Sequence, residues 1–348
     1  MQAQVAYTGE AINEKKIYTI TLIHTSGTVA TITNYGATLM QFSIINAHNI
    51  SQNIVLGFDA VQAYRSPAYK AAYPYFGAII GRTANRIKNA QFTLDNTVYQ
   101  LAPNLDNDNL HGGSIGFDSM VWHILDHGST PNPYVTLQHI SPHLTEGYPG
   151  TLTTTVTYTL LHNELQYEIT AHTTQATLAN MTNHTYFNLN TNNDTIHNHI
   201  VQLNALTYLE QDDANNPTGH VLPVTNTYLD FTAPHTVSSR WNNAQGYDHS
   251  YVVHNYNGAL QQVATCTIPN QNIILYIYTT EPIVHLYTGR WIPEVIGINE
   301  NAYGAFSGLC FETQAHPNGI NIPNFPSSIL LPNEQYYQKN SYKITCNT

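Results

Sequence analysis

Alternation between apolar and polar side chains dominates this chain. "LTTTVTYTLL", from Leu152, and "ELQYEITAHTT", from Glu164, repeat with period two, as a strand with one buried face requires. "KKIYTITLIH", "VATITNYGATLMQFSII", "YVVHNY", "NIILYIYTTEPIVHLYTG" and "GLCFETQ" are rich in Val, Ile, Thr and Tyr. Clusters of Gly, Pro, Asn and Asp separate them, so they also read as strands. Apolar residues at helical spacing over ten or more positions are nearly absent. The pattern predicts one short helix around "FDAVQAYRSPAY", with Asp59 as its cap, and a strand followed by a turn in "LTYLEQDDANNPTG". An all-β fold built from antiparallel strands, as a sandwich or barrel, follows. No repeat of fixed period is present. The Asn-rich runs "APNLDNDN" and "NLNTNNDT" are short enough for loops, so residues 1–348 are expected to form a single domain.

One stretch breaks the plain amphipathic pattern. In "MTNHTYFNLN", strand alternation would put His184, Tyr186 and Asn188 on one side and Thr185, Phe187 and Leu189 on the other. The second set suits a core. The first carries an imidazole, a phenol and an amide, which fits either a solvated face or the floor of a polar cleft.

Composition narrows the partners. Only 9% of the 348 residues are charged, 22 acidic and 11 basic, for a formal charge of −11. The five arginines, Arg65, Arg82, Arg86, Arg240 and Arg290, are scattered. There is no basic stripe for a nucleic-acid backbone or an anionic membrane. A surface of amides, hydroxyls and aromatics suits a neutral, hydroxyl-rich ligand. Cys266, Cys310 and Cys346 match no zinc or redox spacing and read as reduced thiols. The N-terminal segment lacks a basic region followed by an apolar one, and no apolar run reaches the ~20 residues needed to span a bilayer. A cytoplasmic protein is the expectation.

Four stretches could carry chemistry. "YFGAIIGRTANRI" holds Arg82 and Arg86, either as surface ion pairs or as donor forks for sugar oxygens. In "NLHGGSIGFDSMVW", His111 precedes two glycines that permit close approach or positive φ, while Phe117 and Trp122 could offer stacking faces. The third is the run around His184. In "GLCFETQAHPNGINIPNFPSS", Glu312 lies within an apolar strand, where a carboxylate needs a partner or a raised pKa. It is either paired with an arginine or functional. The alternating histidines His197 and His199 have no third ligand nearby, so a metal is not expected there.

With "NYGATL", "YTTEPIVHLYTG" and "GYDHSYVV" added, these stretches occur in the order seen in the aldose 1-epimerases, and the chain resembles that family from about Asn34 to its C-terminus. The resemblance implies a large antiparallel β-sandwich of the galactose mutarotase-like type. It also implies interconversion of α and β anomers of free aldohexoses, such as glucose and galactose, without cofactor or metal. It places His184 as general acid and Glu312 as general base. Asn85, Arg86, His111 and Asp248 fall at sugar-binding positions. His285, also expected to contact the sugar, stands where the family usually has Gln, and Arg290 where relatives commonly have Asn. Three rivals remain. A hexose-6-phosphate epimerase would want several cations around the phosphate. A non-catalytic sugar-binding module could lose His184 or Glu312. A hydrolase or lyase on a similar sandwich would normally use two carboxylates. The sequence does not give the oligomeric state.

Overall fold

The computed structural model describes residues 1–191, 194–241, 245–269 and 273–346; part of the second Asn-rich run lies outside the described residues. Three antiparallel sheets carry the architecture. The first has five strands in chain order: Gln2–Ile12, Lys15–Ile23, Val29–Thr33, Thr38–Ile45 and Ser51–Asn53. The second has nine, running across the sheet as His123–Gly128, Tyr134–Ser141, Leu152–Leu161, Glu164–Thr173, Tyr336–Cys346, Ile273–Thr279, Gln261–Thr267, Ile200–Leu203 and His235–Thr236. The third has six, Tyr186–Phe187, Leu309–Gln314, Ile283–Tyr287, Asp248–Val253, Ala205–Gln211 and Pro217–Pro223. One apolar cluster joins all three. It takes Leu22 and Ile32 from the first, Val156, Ile169 and Leu275 from the second, and Phe187, Val284, Leu286 and Phe311 from the third. Burying alternate residues of facing sheets is the expected way for period-two strands to form a core, and the expected all-β antiparallel sandwich is found.

The six-stranded sheet positions the site. Its inward face sends Phe311, Val284, Leu286 and Tyr251 into the core. Period two then forces Cys310, Glu312, His285, Tyr287, Asp248 and Ser250 to the opposite face. The register sets them side by side: Tyr186 opposite Cys310, His285 opposite Glu312, and Ser250 opposite His285.

Four local readings need correction. The helix expected around Asp59 is a 3₁₀ turn, Val61–Arg65, followed by the α-helix Pro67–Ala72. Its cap is Ser66, whose hydroxyl accepts from the Tyr69 amide, while Asp59 accepts from the Asn299 amide instead. Proline at the first helical position, preceded by serine, is the better start signal. Second, residues 181–190 form no continuous strand. Thr182–Asn183 bridges to Ile79–Ile80, and Tyr186–Phe187 to Leu309–Cys310. Third, Arg82 is no surface ion pair. It is 1% exposed, and its N–H groups donate to Ser141 Oγ, Thr177 Oγ1 and the carbonyls of Ser141, Pro142 and Pro149. A cation held only by neutral acceptors is disfavoured by burial, and its pKa drops to about 10. Fourth, Phe117 and Trp122 pack edge-to-face in the core and present no stacking face to a ligand. No helix among the described residues is long and apolar enough to cross a membrane.

Candidate active site

All seven candidate residues, Asn85, Arg86, His111, His184, Asp248, His285 and Glu312, line one cleft of about 380 Å³. Sequence reasoning missed Tyr73, Tyr75, Asn215, Tyr287 and Trp291, which line it as well. Tyr75 lies at the head of a quoted motif and Asn215 in a predicted turn, but a lone Tyr or Asn carries no distinguishing pattern. Asn188 faces away from this cleft, bonding the carbonyls of Asp194 and Ser307. The polar side of the 184–188 run is therefore split between two places.

Two walls meet at the centre. One is the polar face of the six-stranded sheet. The other is the short bridge of Arg86–Ile87 with Asn109–Leu110, which sets Arg86 beside His111. Here the Asn85 carbonyl accepts from the His111 amide at 3.0 Å, and the Asn85 amide donates to His111 Nδ1 at 3.2 Å. Asn85 also turns its side-chain oxygen back onto the Arg86 amide. Tyr75, Asn85 and His111 all have positive φ, at 58°, 60° and 52°. That conformation costs a non-glycine residue roughly 1–2 kcal/mol, and such strain gathers where side chains must be aimed. Beneath the cleft, Tyr69, Phe76, Tyr186 and Cys310 belong to a second apolar cluster. The Phe76 amide donates to the Tyr69 hydroxyl, which fixes the Tyr73–Tyr75 segment above it.

The central pair is His184 and Glu312. They are 4% and 2% exposed, with His184 Nε2 3.6 Å from Glu312 Oε1. That separation exceeds a direct hydrogen bond. Each group therefore keeps its inner side free for atoms placed between or beside them. Glu312 Oε2 and Arg86 Nε are buried without a protein hydrogen-bond partner, a state that costs about 1–3 kcal/mol for each group unless a ligand satisfies it. Behind His184, Cys310 Sγ lies 3.5 Å from Nδ1, and Tyr186 stacks on the ring at 5.1 Å between centroids. Burial lowers the His184 pKa, and the Glu312 charge offsets part of that loss. Burial and the neighbouring His184 hold His111 well below its ordinary value, so it is neutral at pH 7.

The residue types invite a metal, since ligand atoms of His111, His184 and Glu312 lie within 4.8 Å of one another. Hydrogen bonding argues against it. Because Nδ1 of neutral His111 accepts the Asn85 amide, its proton sits on Nε2. That nitrogen faces the cleft as a donor, whereas a metal ligand needs the lone pair there and a donating N–H behind. His111 is thus built to donate to a ligand oxygen.

An antiparallel sandwich whose polar sheet face brings an imidazole and a carboxylate together, ringed by amide, guanidinium and aromatic groups, defines a class: a sugar-handling acid/base enzyme. Comparison with known proteins agrees. Residues 18–343 match the family model of the aldose 1-epimerases. Human galactose mutarotase is 35% identical over 322 residues, covering 90% of each chain. Aldose 1-epimerase from Escherichia coli K12 is 29% identical over 334 residues, covering 93% of this chain and 94% of that one. Among solved structures, an aldose epimerase homologue from C. elegans superposes with a TM-score of 0.86 at 28% identity, covering 95% of this chain and 99% of that one. Galactose 1-epimerase from Lactobacillus acidophilus gives 0.84 at 27% identity, covering 99% and 98%. The chain belongs to the aldose 1-epimerase family and is an enzyme of that class.

Proposed function

We propose that this enzyme interconverts the α and β anomers of free aldohexoses such as glucose and galactose, with His184 as general acid and Glu312 as general base. The observation that carries this reading is the approach of His184 Nε2 to Glu312 Oε1 at 3.6 Å inside a polar cleft. Anomerisation exchanges protons at two oxygens bonded to the same carbon, so its acid and base must be neighbours. In the fraction of enzyme whose His184 is protonated, a fraction the Glu312 charge enlarges against burial, Glu312 takes the proton of the C1 hydroxyl as His184 gives one to O5. The C1–O5 bond breaks and leaves an open-chain aldehyde, a neutral His184 and a protonated Glu312. Rotation about C1–C2 turns the other face of the aldehyde toward O5. Ring closure returns the O5 proton to His184, while the new C1 hydroxyl takes its proton from Glu312. Each positioned transfer contributes roughly 10²–10⁴-fold.

Around that pair, the Nε2–H of neutral His111 and the Arg86 guanidinium steady oxygens whose charge shifts during opening. Asn85 and Asp248 orient the remaining hydroxyls. Apart from Arg86, the described residues that line the cleft include no lysine or arginine, which favours a neutral sugar over a phosphorylated one. We also infer that the three sheets act as one domain and that the free thiols Cys266, Cys310 and Cys346 suit a reducing, cytoplasmic setting.

Polarimetry on freshly dissolved α-D-glucose and α-D-galactose tests the assignment. Protein at catalytic concentration should speed the decay of optical rotation with both sugars. Decay at the uncatalysed rate with each would refute it.

A further inference from the structure

A hydrogen-bonded chain on the cleft wall takes no part in the proton exchange at C1. Ser250 Oγ lies 2.9 Å from His285 Nδ1, and His285 Nε2 lies 2.7 Å from Asp248 Oδ1. Strand register builds this chain, because Ser250 sits directly opposite His285 and Asp248 two positions before it on the same face. Both ring nitrogens of His285 are therefore engaged within the protein. Asp248 has one oxygen engaged. Its Oδ2 meets only the Asn215 amide, at a long 3.4 Å, and the side chain is 32% open to the cleft.

We infer that His285 is a positioning residue acting through Asp248: it occupies one carboxylate oxygen and limits Asp248 to a single sugar hydroxyl. The inference rests on the sugar reading above and defines how that site selects among aldoses. Charge decides whether a substrate could displace the histidine. Burial disfavours a charged His285 ring, but the hydrogen bond and charge of Asp248 outweigh it and raise the pKa, with Glu312 adding to the effect and Arg86 opposing it. Burial likewise works to raise the Asp248 pKa, yet His285 and Arg86 hold it well below the usual carboxylate range. Of the other titratable groups nearby, burial lowers the pKa of His111, His184 and His249 and raises that of Tyr287, which disfavours charge on all four. The contact is thus an N–H···carboxylate bond, charge-assisted and roughly twice as strong as a neutral one, strengthened by the ring's raised proton affinity, and a neutral sugar hydroxyl does not displace it. A glutamine at position 285 would offer only an amide donor, which a hydroxyl could replace. This chain should accordingly demand one hydroxyl fewer at the Asp248 end of the sugar and tolerate inversion or loss of the next.

The test measures KM and kcat for anomeric exchange, by NMR magnetisation transfer, on 2-, 3-, 4- and 6-deoxy-D-glucose, each with native protein, Asp248→Asn, His285→Gln and the double variant. In the native background, Asp248→Asn should change the KM penalty at one deoxy position only, by about tenfold or more. In the His285→Gln background a second position should become coupled to Asp248. Two coupled positions in native protein, or the same single position in both backgrounds, would overturn the inference and leave the mutarotase assignment standing. No exchange with any sugar would remove both. A second readout is independent of turnover. ¹⁵N NMR of ligand-free protein should show His285 Nε2 protonated at pH 7 and shifted by its bond to the Asp248 carboxylate, and an Nε2 without a proton would overturn the proposal even if His285→Gln fails to fold.

Discussion

Burial and charge pull His184 in opposite directions, and the balance is measurable at the level of that one ring. Burial dominates, so its pKa lies below 6.5, and the Glu312 carboxylate keeps it from falling further. In an NMR titration His184 should therefore change state below pH 6.5, and in Glu312→Gln at a lower pH still, because the charge favouring imidazolium is gone. An unchanged or higher midpoint in the variant would contradict the pairing. Residue identity alone made part of this legible. A glutamate within an apolar strand had to have a partner, and it does, though the partner is a histidine and not an arginine. The two arginines of "YFGAIIGRTANRI" could not be told apart by type. Arg86 reaches the cleft, while Arg82, four positions earlier, clamps three backbone carbonyls inside the protein.

At the scale of elements, the loop from Asn109 to Gly113 aims His111. Gly112 has φ +89°, and a Cβ there would lie 2.0 Å from the Gly81 carbonyl oxygen. Gly112→Ala should thus lower stability by about 2 kcal/mol or more and disturb His111, raising KM in any variant that still folds. Denaturant unfolding together with kinetics checks this, and native-like values for both would show the loop to be less constrained. The pair of glycines after His111 advertised this role in sequence. Strands with clean alternation, such as Leu152–Leu161, were equally plain. Tyr336–Cys346 was not, although it lies between Glu164–Thr173 and Ile273–Thr279 within the nine-stranded sheet. Its buried positions include Gln338, Asn340 and Ser341. Asn340 accepts from the hydroxyls of Thr279 and Thr313, and Gln338 donates to the Thr313 carbonyl. A strand whose buried positions are amides and hydroxyls leaves no apolar period to detect.

The molecule as a whole should be sensitive to acid. Burial lowers His139, His249 and His316 to about 4 and His199 to about 3. In the unfolded chain each titrates near 6.5, so between these values the unfolded state holds more protons, and stability is lost as pH falls. Two acids work the other way. Burial raises Glu281 to about 8 and Asp118 to about 6, so acidification favours the fold through them. Four histidines outweigh two acids between pH 6.5 and 4.5. Calorimetry should show Tm lower at pH 5 than at pH 7 by roughly 5–10 °C; a flat or rising Tm would mean that the histidines are not held neutral in the fold. Low overall charge, at 9% of residues, leaves few surface ion pairs to mask the effect.

A double-mutant cycle on anomeric exchange tests most directly whether His184 and Glu312 serve one sugar in one step. His184→Asn and Glu312→Gln should each reduce kcat at least about a hundredfold. The double variant should be hardly worse than the poorer single one, since groups acting as a unit are not additive. Losses that multiply, or a near-native rate in either single variant, would show that the two side chains do not act together.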